Sequence, residues 1–307
     1  MQFDEIYRRQ AALLVRAIPF VGAETCFALK GGTAINLFVR DMPRLSVDID
    51  LTYLPIAARA QSLQDMGDAL RRIADAVEHG IAGARVDLAA ISPENRVTKL
   101  LVRAKGVQIK IEVTPVTRGC VHEPAAKSVS PRVEDEFGFA EIQVVSFADL
   151  YAGKLVAALD RQHPRDLFDV HGLLSNEGID QVLRKTFIVY VLSHNRPMAE
   201  LLAPTRRDIS AEFRRGFQGM TESPVDLDEL LEARESLIRE IVGNMPLDHR
   251  RFLISAKRCQ PEWDLLSLPG VQMLPAVRWK LENLARLEGS KRAASLERLV
   301  QVLEVDD

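Results

Sequence analysis

The sequence predicts an α+β protein in which a mixed α and β N-terminal half precedes a mainly helical C-terminal half. Runs of alternating apolar and polar residues, the pattern of half-buried strands, are confined to the chain before Ser146. Helical spacing dominates after that residue, and prolines interrupt it at intervals. We therefore expect an α/β domain over residues 1–145 and a helical domain over residues 146–307.

The predicted elements of the first half form a mixed sheet with connecting helices. Helices are expected over 4–18, 34–39 and 56–79, and strands over 27–32, 47–53, 84–91, 96–104, 107–116 and 141–146. Lys105 and Gly106 separate two of these strands, which predicts a hairpin. Ser146 and Asp149 have the spacing of a capping box and predict the start of the helical half.

Composition excludes several classes of protein. The formal net charge is −3, so bulk charge does not favour strong nonspecific nucleic-acid binding, although a local basic groove stays open. The three cysteines, Cys26, Cys120 and Cys259, are far apart, which fits a reducing compartment and argues against zinc. No apolar run approaches the ~20 residues of a membrane span. We expect a cytoplasmic protein that does not enter a membrane.

An acidic pair on the strand over 47–53 is the strongest sign of chemistry. Asp48 and Asp50 are two residues apart, so on a strand they project from one face, while Val47, Ile49 and Leu51 point the other way. Adjacent carboxylates repel each other unless a cation lies between them, and they are suitable ligands for Mg²⁺. Glu112, on a neighbouring alternating strand, is the candidate third carboxylate. The alternative is a solvated strand face.

A glycine turn precedes the acidic strand. Gly31 and Gly32 would let the backbone approach a phosphate, and Thr33 would begin the next helix and add a hydroxyl contact. The alternative is an ordinary tight turn. Arg44 and Ser46 would share the face of the acidic pair, and Arg44 would hold either a phosphate or a structural carboxylate partner.

A lysine and a second acidic pair begin the helical half. Lys154 lies on an otherwise apolar helix, where it would bind a triphosphate or extend its ammonium group to solvent. Asp166 and Asp169 are three residues apart and therefore adjacent on one helix face. Asp166 would contact the nucleotide or favour the helix dipole. Asp169 would activate an acceptor hydroxyl or position Lys154.

Together these residues resemble the AbiEii/AbiGii family of nucleotidyltransferase toxins, which includes the mycobacterial MenT toxins. The matching pieces are Leu29–Ala34, the Arg-x-Ser-x-Asp-x-Asp run over 44–50, Ile109–Glu112, and Gly153–Leu155 with Arg165–Asp169. They span about residues 27–170, and their order is more specific than any one piece.

The resemblance implies a polymerase-β-like nucleotidyltransferase domain with a mixed sheet, followed by a helical domain. It implies an NTP and Mg²⁺ as reactants and a cognate antitoxin as partner. It assigns metal binding to Asp48 and Asp50, and it makes Lys154 and Asp169 necessary for toxicity.

The predicted reaction is transfer of a nucleoside monophosphate to the 3′ end of tRNA by the toxin of a type IV toxin–antitoxin system. Arginine pairs at 206–207, 214–215 and 250–251 are candidates for contacts with the tRNA backbone, or else part of solvated helix faces. Two alternatives stay open. One is the same chemistry on a protein or a small molecule, and the other is a non-catalytic interaction module with the same fold.

Overall fold

The computed structural model describes residues 3–91 and 96–305, and these form two compact units. The first unit comprises the chain up to Ser146 together with Phe217–Pro224. The second comprises Phe147–Gly216 and the chain from Val225 onward. A mixed sheet lies in the first unit and the second is helical, so the predicted α+β class is confirmed.

The first unit alternates helices with strands. Its elements are α1 (Glu5–Gly22), β1 (Phe27–Lys30), α2 (Gly31–Ala34), a π-helical turn (Ile35–Val39), β2 (Asp48–Tyr53), α3 (Arg59–Gly80), β3 (Arg85–Ile91), β4 (Arg96–Ala104), β5 (Val107–Val113), β6 (Ala125–Ser128), α4 (Pro131–Phe137) and β7 (Glu141–Val144).

Within the described part of the chain, the strands form one seven-stranded sheet in the order β3-β4-β5-β2-β1-β7-β6. The β2–β5 and β1–β7 pairs are parallel, and the other neighbours are antiparallel. The predicted hairpin is confirmed, because β4 pairs with β5 through a turn in which Lys105 and Gly106 both have positive φ. The acidic strand β2 therefore lies in the middle of the sheet.

Alternation along the central strands separates a core face from a polar face. On β2, the fully buried Ile49 and Leu51 alternate with the half-exposed carboxylates of Asp48 and Asp50, and β5 alternates in the same way. Helix α1 packs against β5 and β7, and α3 packs against β3 and β4. The apolar side chains enter this helix-covered core, which leaves the polar side chains of β2 and β5 on the other face.

Two elements of this unit escaped sequence analysis. Strand β6 has four exposed residues and so shows no apolar alternation. At the edge of the sheet formed by the described residues, it pairs with β7 alone. Helix α4 is short and begins at Pro131 with a single fully buried apolar residue, Val133. A third difference concerns the helix predicted over 34–39, because the helical turn begins earlier, at Gly31, and continues as a π-helical turn.

A segment from the second half of the chain, Phe217–Pro224, packs in the first unit. The backbone N–H of Leu45 donates to the carbonyl of Met220 at 2.8 Å, and the N–H of Glu222 donates to the carbonyl of Pro43 at 3.1 Å. Arg132 and Glu222 form an ion pair at 2.6 Å. These contacts fix the loop that leads into β2.

The second unit is built from helices. They are α5 (Phe147–Arg161), α6 (Pro164–Asn176), α7 (Gln181–Ser193), α8 (Met198–Leu202), α9 (Ser210–Gly216), α10 (Leu227–Ile238), a π-helical turn (Arg239–Gly243), α11 (Leu247–Lys257), 3₁₀ turns (Trp263–Leu265 and Val271–Met273), α12 (Pro275–Ala285) and α13 (Gly289–Leu303). Helix α5 packs against α6 and α7, and α10 packs against α6. Among the residues described, no helix has the length and apolarity needed to cross a membrane.

Candidate active site

The carboxylates Asp48 and Asp50 lie on the polar face of β2, in the middle of the sheet. Both residues are half-buried, whereas Ile49 between them is fully buried. In the strand register, Asp50 is paired with Lys30 of β1 on one side and with Glu112 of β5 on the other. Asp48 is paired with Lys110. The predicted acidic pair therefore shares one face, and polar partners flank it on both neighbouring strands.

Two lysines neutralise part of the negative charge of this face. Lys110 Nζ lies 2.8 Å from a Glu112 carboxylate oxygen. Burial lowers the pKa of Lys110, but the hydrogen bond with Glu112 and the charges of Asp48 and Asp50 outweigh it and raise that pKa overall. On the other side, burial lowers the pKa of Lys30 against the opposing charge of Asp50. The field of the acidic pair thus reaches both lysines.

Glu112 is paired with lysines. Besides Lys110, it has Lys99 Nζ at 3.5 Å, and its side chain is about one-third exposed. Burial raises the pKa of Glu112, but the hydrogen bond and charge of Lys110 and the charge of Lys99 outweigh this and lower it. A cation at the acidic pair would have to compete with these two lysines for Glu112, so its place in the ligand set stays a prediction.

The chemistry of the donors fits a divalent cation held by Asp48 and Asp50. Over residues 3–91 and 96–305, no group of three or more histidine, cysteine or carboxylate side chains is arranged to hold a metal by itself. Mg²⁺ rarely needs such a group, because it is usually bound by one or two carboxylates together with water and substrate phosphates. Two adjacent carboxylates on an accessible strand face meet that requirement.

The glycine turn packs directly against the acidic strand. Gly31 has φ +74°, and a Cβ built there would lie 2.7 Å from Asp50 Oδ2. A Cβ at Gly32 would lie 2.6 Å from Arg44 Nη2. Any side chain at either position would collide with its neighbour. Because neither glycine carries a Cβ atom, the start of α2 can approach the carboxylate of Asp50.

Three other predicted nucleotide-binding residues are buried beneath this turn. The Thr33 and Ser46 hydroxyl oxygens lie 2.9 Å apart, and Thr33 also donates to the Asp48 carbonyl at 2.5 Å. Arg44 is 2% exposed and donates to the Leu45 carbonyl at 3.0 Å. These contacts join the turn to the start of β2. The geometry gives the three residues a positioning role, and their direct contact with a nucleotide stays a prediction.

In the second unit, Lys154, Asp166 and Asp169 form a buried ionic cluster. Lys154 Nζ lies 2.7 Å from Asp166 and 3.0 Å from Asp169, and the three side chains are at most 6% exposed. Arg161 donates twice to Asp166, at 2.5 and 3.0 Å. Burial raises the pKa of Asp166, but the Lys154 and Arg161 charges outweigh it and hold the pKa far below its ordinary value.

The cluster brings together all three residues singled out on α5 and α6. With Arg161 it contains two cations and two carboxylates, so its formal charge is zero. Of the two roles considered for Asp169, the 3.0 Å contact favours positioning of Lys154. Lys154 does not extend its ammonium group freely to solvent, because its side chain is only 6% exposed.

Sequence analysis did not single out Lys30 or Lys110 as members of the site. Lys30 lies opposite Asp50 in the β1–β2 register, and its Nζ donates to Thr114 Oγ1 at 2.9 Å. The available signal was the position of Lys110 two residues before Glu112, which puts both on one face of β5. The strand order that places either lysine beside the acidic pair could not be deduced from local patterns.

Comparisons with known proteins agree on one class of protein. A family model described as "Nucleotidyl transferase AbiEii toxin, Type IV TA system" matches residues 12–283. No curated protein sequence matches the chain. Among solved structures, the chain is similar to MenT4, a nucleotidyltransferase toxin from Mycobacterium tuberculosis, with 16% sequence identity and a TM-score of 0.61. That alignment covers 92% of this chain and 93% of the other, and at such low identity it shows a shared fold.

Proposed function

Because the chain belongs to the AbiEii family of nucleotidyltransferase toxins from type IV toxin–antitoxin systems, we propose that it transfers a nucleoside monophosphate to tRNA. Membership confirms the resemblance drawn from residues 27–170 and the predicted nucleotidyltransferase activity. A nucleotidyltransferase takes an NTP, and a toxin of such a system has a cognate antitoxin. The acceptor, the metal and the individual residue roles are the proposed part.

The arrangement of Asp48 and Asp50 carries this proposal. They are adjacent carboxylates on the accessible face of β2, and the Gly31 turn packs against Asp50. The proposed Mg²⁺ would be held by these two carboxylates and by phosphate oxygens of the NTP. When bound, it would neutralise charge that develops on the transferred phosphoryl group. Glu112 is proposed as a further ligand or as a group that orients Lys110.

The proposed reaction is an in-line displacement at the α-phosphate. The 3′ hydroxyl oxygen of tRNA forms a bond to the α-phosphorus, and the bond from that phosphorus to the bridging oxygen breaks. Pyrophosphate leaves with that oxygen, and the hydroxyl proton passes to a carboxylate of the acidic pair. Thr33, Ser46 and Arg44 keep the Gly31–Gly32 turn and β2 in a fixed relation, so that phosphate and carboxylates are preorganised.

Lys154 and Asp169 are proposed to be needed for activity, as the family resemblance implies. Lys154 would bind the triphosphate, and Asp166 and Asp169 would hold its ammonium group in place. Lys154→Met tests this role because it keeps the length of the side chain and removes the charge. We expect a raised KM for the NTP. An unchanged KM and kcat would overturn the role of Lys154 without affecting the acidic pair.

The acceptor is tested by incubating the chain with Mg²⁺, each α-labelled NTP in turn, and total tRNA. We expect label on intact tRNA and none on tRNA whose 3′-terminal diol has been oxidised with periodate. Asp50→Asn serves as the inactive control. If folded protein leaves tRNA unlabelled, the tRNA assignment fails, and label on a protein or a small molecule would identify the alternative acceptor. A tRNA acceptor would place the reaction in the cytoplasm.

A further inference from the structure

The second unit contains a cavity of about 330 Å³ beside α8, α11 and α13. Its lining includes three cationic side chains, Lys257, Lys291 and Arg298, and one carboxylate, Glu200. The formal charge of these four groups is therefore +2. All the lining residues belong to the second unit, so the cavity is distinct from the acidic strand and the glycine turn. Its volume lies at the lower end of the range of small-molecule sites.

Lys257 is the feature of this cavity that most needs an explanation. It lies at the end of α11 and is only 5% exposed. Among the residues that the structure describes, none forms a hydrogen bond or ion pair with its Nζ. The Nζ atom is also not sealed from solvent. Its ammonium group therefore keeps some access to solvent, and the residue lines the cavity.

The surroundings of Lys257 do not neutralise its charge. Burial lowers the pKa of Lys257 and outweighs the opposing effect of Cys259, and burial together with the charge of Lys257 lowers the pKa of neighbouring Lys280 to about 8. Lys280 is itself held by the carbonyl oxygens of His194 at 2.6 Å and Arg196 at 2.7 Å. A buried ammonium group beside a second one is costly unless an anion accompanies it.

The one carboxylate of the cavity is directed to arginines. Glu200 lies 3.7 Å from Arg298 and 3.6 Å from Arg196, and no contact within 4 Å joins it to Lys257. The rest of the lining is largely apolar and includes Met198 and Leu299. Lys291 is paired outside the lining with Glu288 at 3.0 Å, so Lys257 is the cation of the lining that no carboxylate of the described residues accompanies. The cavity thus combines the uncompensated charge of Lys257 with walls on which a sugar or base can pack.

We propose that this cavity binds a nucleotide, with its phosphate on Lys257, Lys291 and Arg298 and its nucleoside against Met198 and Leu299. A phosphate monoester is an anion with three acceptor oxygens, so it can compensate the charge of Lys257 and also contact the exposed side chains of Lys291 and Arg298. The nucleotide is either free or the 5′-phosphorylated end of an RNA chain, because both sources present a phosphate monoester joined to a nucleoside. The proposal stands apart from the transfer reaction and holds whether or not tRNA is the acceptor.

The arginine pairs considered from sequence are weaker candidates for this purpose. Arg206 is paired with Glu235 at 2.8 Å, and Arg250 donates to the backbone carbonyls of Met245 and Gly243 at 2.9 and 2.8 Å. Neither arginine is a buried cation without a partner among the described residues, as Lys257 is. Lys257 was not singled out because its isolation from carboxylates depends on how α8, α11 and α13 pack.

The test is calorimetric titration of the full chain with AMP at low salt and with EDTA, which removes the divalent cation that the acidic strand would need. We expect Lys257→Met to weaken AMP binding at least about ten-fold, as loss of one charge-assisted hydrogen bond does. Unliganded Lys257→Met should melt at the same temperature or higher, because an uncompensated buried charge is gone. If Lys257 had only a structural role, Lys257→Met would melt at a lower temperature than the wild type. Wild-type affinity in this variant would overturn the proposal.

Matched variants keep the test decisive if Lys257→Met does not fold. Arg298→Gln removes a cation at an exposed position of the cavity, and we expect weaker AMP binding. Arg278→Gln makes the same change at an exposed position of α12 that does not line the cavity, and we expect no effect. Equal affinities for AMP in these two variants would contradict the assignment. Asp50→Asn should bind AMP as the wild type does, which separates this cavity from the acidic strand.

Three further ligands identify the nucleotide source. Inorganic phosphate and adenosine should each bind at least about ten-fold more weakly than AMP, because each lacks one half of the proposed contacts. Equal binding of either would overturn the nucleotide assignment. A 5′-phosphorylated adenylate tetramer that binds more tightly than AMP would support a nucleotide within RNA. Weaker binding of the tetramer would support a free nucleotide.

Discussion

The protein contains two pairs of carboxylates that differ in the source of the positive charge beside them. Asp48 and Asp50 are half-buried on a strand face of the first unit, next to lysines that are themselves partly exposed. Asp166 and Asp169 are buried in the second unit. There Lys154 and Arg161 supply a permanent counter-charge.

This difference explains why similar pairs suit different tasks. Two neighbouring carboxylates that both carry a charge repel each other, and a cation beside them relieves that repulsion. Where the pair is accessible, water can leave and a metal with its phosphate ligand can enter, so the counter-charge is exchangeable. Where the pair is sealed among apolar helices, removal of the counter-charge would leave a bare buried ion. We therefore expect substitutions in the first pair to affect turnover and substitutions in the second to affect folding as well.

The largest expected effect is on turnover in Asp50→Asn. We expect the rate of nucleotide transfer to fall by about 10³–10⁵-fold, the range found when one charge contact to a transferring phosphoryl group is removed. The melting temperature should stay the same or rise, because repulsion with Asp48 is relieved. Labelled-NTP transfer and thermal unfolding of the same preparation measure the two quantities. A variant with near wild-type transfer would remove Asp50 from the proposed metal site.

The second prediction concerns Asp166→Asn in the buried cluster. We expect the free energy of unfolding to fall by about 3–5 kcal/mol, because the change removes the charge of a fully buried carboxylate that Lys154 contacts at 2.7 Å and Arg161 at 2.5 Å. Urea titration followed by circular dichroism measures it. Asp68→Asn is the control, since it removes an exposed partner of the exposed Arg71 and should cost at most about 1 kcal/mol. Equal losses in the two variants would contradict the contrast drawn between exposed and buried pairs.

The same cluster predicts a pH dependence with a defined sign. The pKa of Asp166 in the folded protein lies below its ordinary value of 3.8. The stability that it contributes is therefore complete at neutral pH and is lost as the pH falls below about 4 toward the folded pKa. The gap in urea midpoint between wild type and Asp166→Asn should narrow over that interval. A gap that is constant from pH 7 to pH 3 would show that the charge of Asp166 is not its cause.

Local patterns were sufficient for the elements of the sheet that carry the acidic pair, and insufficient for its neighbours. Strict alternation of apolar and polar residues predicted that Asp48, Asp50 and Glu112 lie on the polar face of their strands. This works because successive side chains of a strand point to opposite faces. The position of Lys30 beside Asp50 depends on the register in which β1 and β2 pair. The hydrogen bond between the N–H of Leu45 and the carbonyl of Met220 joins residues that are 175 positions apart. Such long-range pairings have no signature in a local window. The exposed edge strand β6 lacked even a local pattern.

The next prediction separates backbone strain from site geometry at Gly31. We expect Gly31→Ala to destabilise the protein by about 1–2 kcal/mol, because its φ of +74° disfavours a Cβ. It should also impair transfer, because the Cβ would displace the Asp50 carboxylate. Gly83→Ala is the matched control, since Gly83 has φ +75° and no atom within 4 Å of the added Cβ. Both variants should lose stability in urea through the positive φ, and only Gly31→Ala, whose Cβ meets Asp50, should lose activity. Full activity in Gly31→Ala would separate the turn from the acidic pair.

The smallest effect is expected for Glu112→Gln, which tests whether the proposed metal site has two or three carboxylates. Its ion pairs with Lys110 and Lys99 are about one-third exposed, so their loss should cost at most about 1 kcal/mol of stability. If Glu112 acts by orienting Lys110, the Mg²⁺ concentration for half-maximal transfer should rise by about ten-fold, and the rate at saturating Mg²⁺ should persist.

Asp87→Asn is the control for Glu112→Gln, because it removes an exposed partner of Arg103 on the β3–β4 pair and should leave the Mg²⁺ dependence unchanged. A collapse of the rate in Glu112→Gln at every Mg²⁺ concentration would make Glu112 a direct ligand. In that case the lysines that hold it in this structure would be displaced when the metal binds. The metal would then be the counter-charge of all three carboxylates of the polar face, Asp48, Asp50 and Glu112.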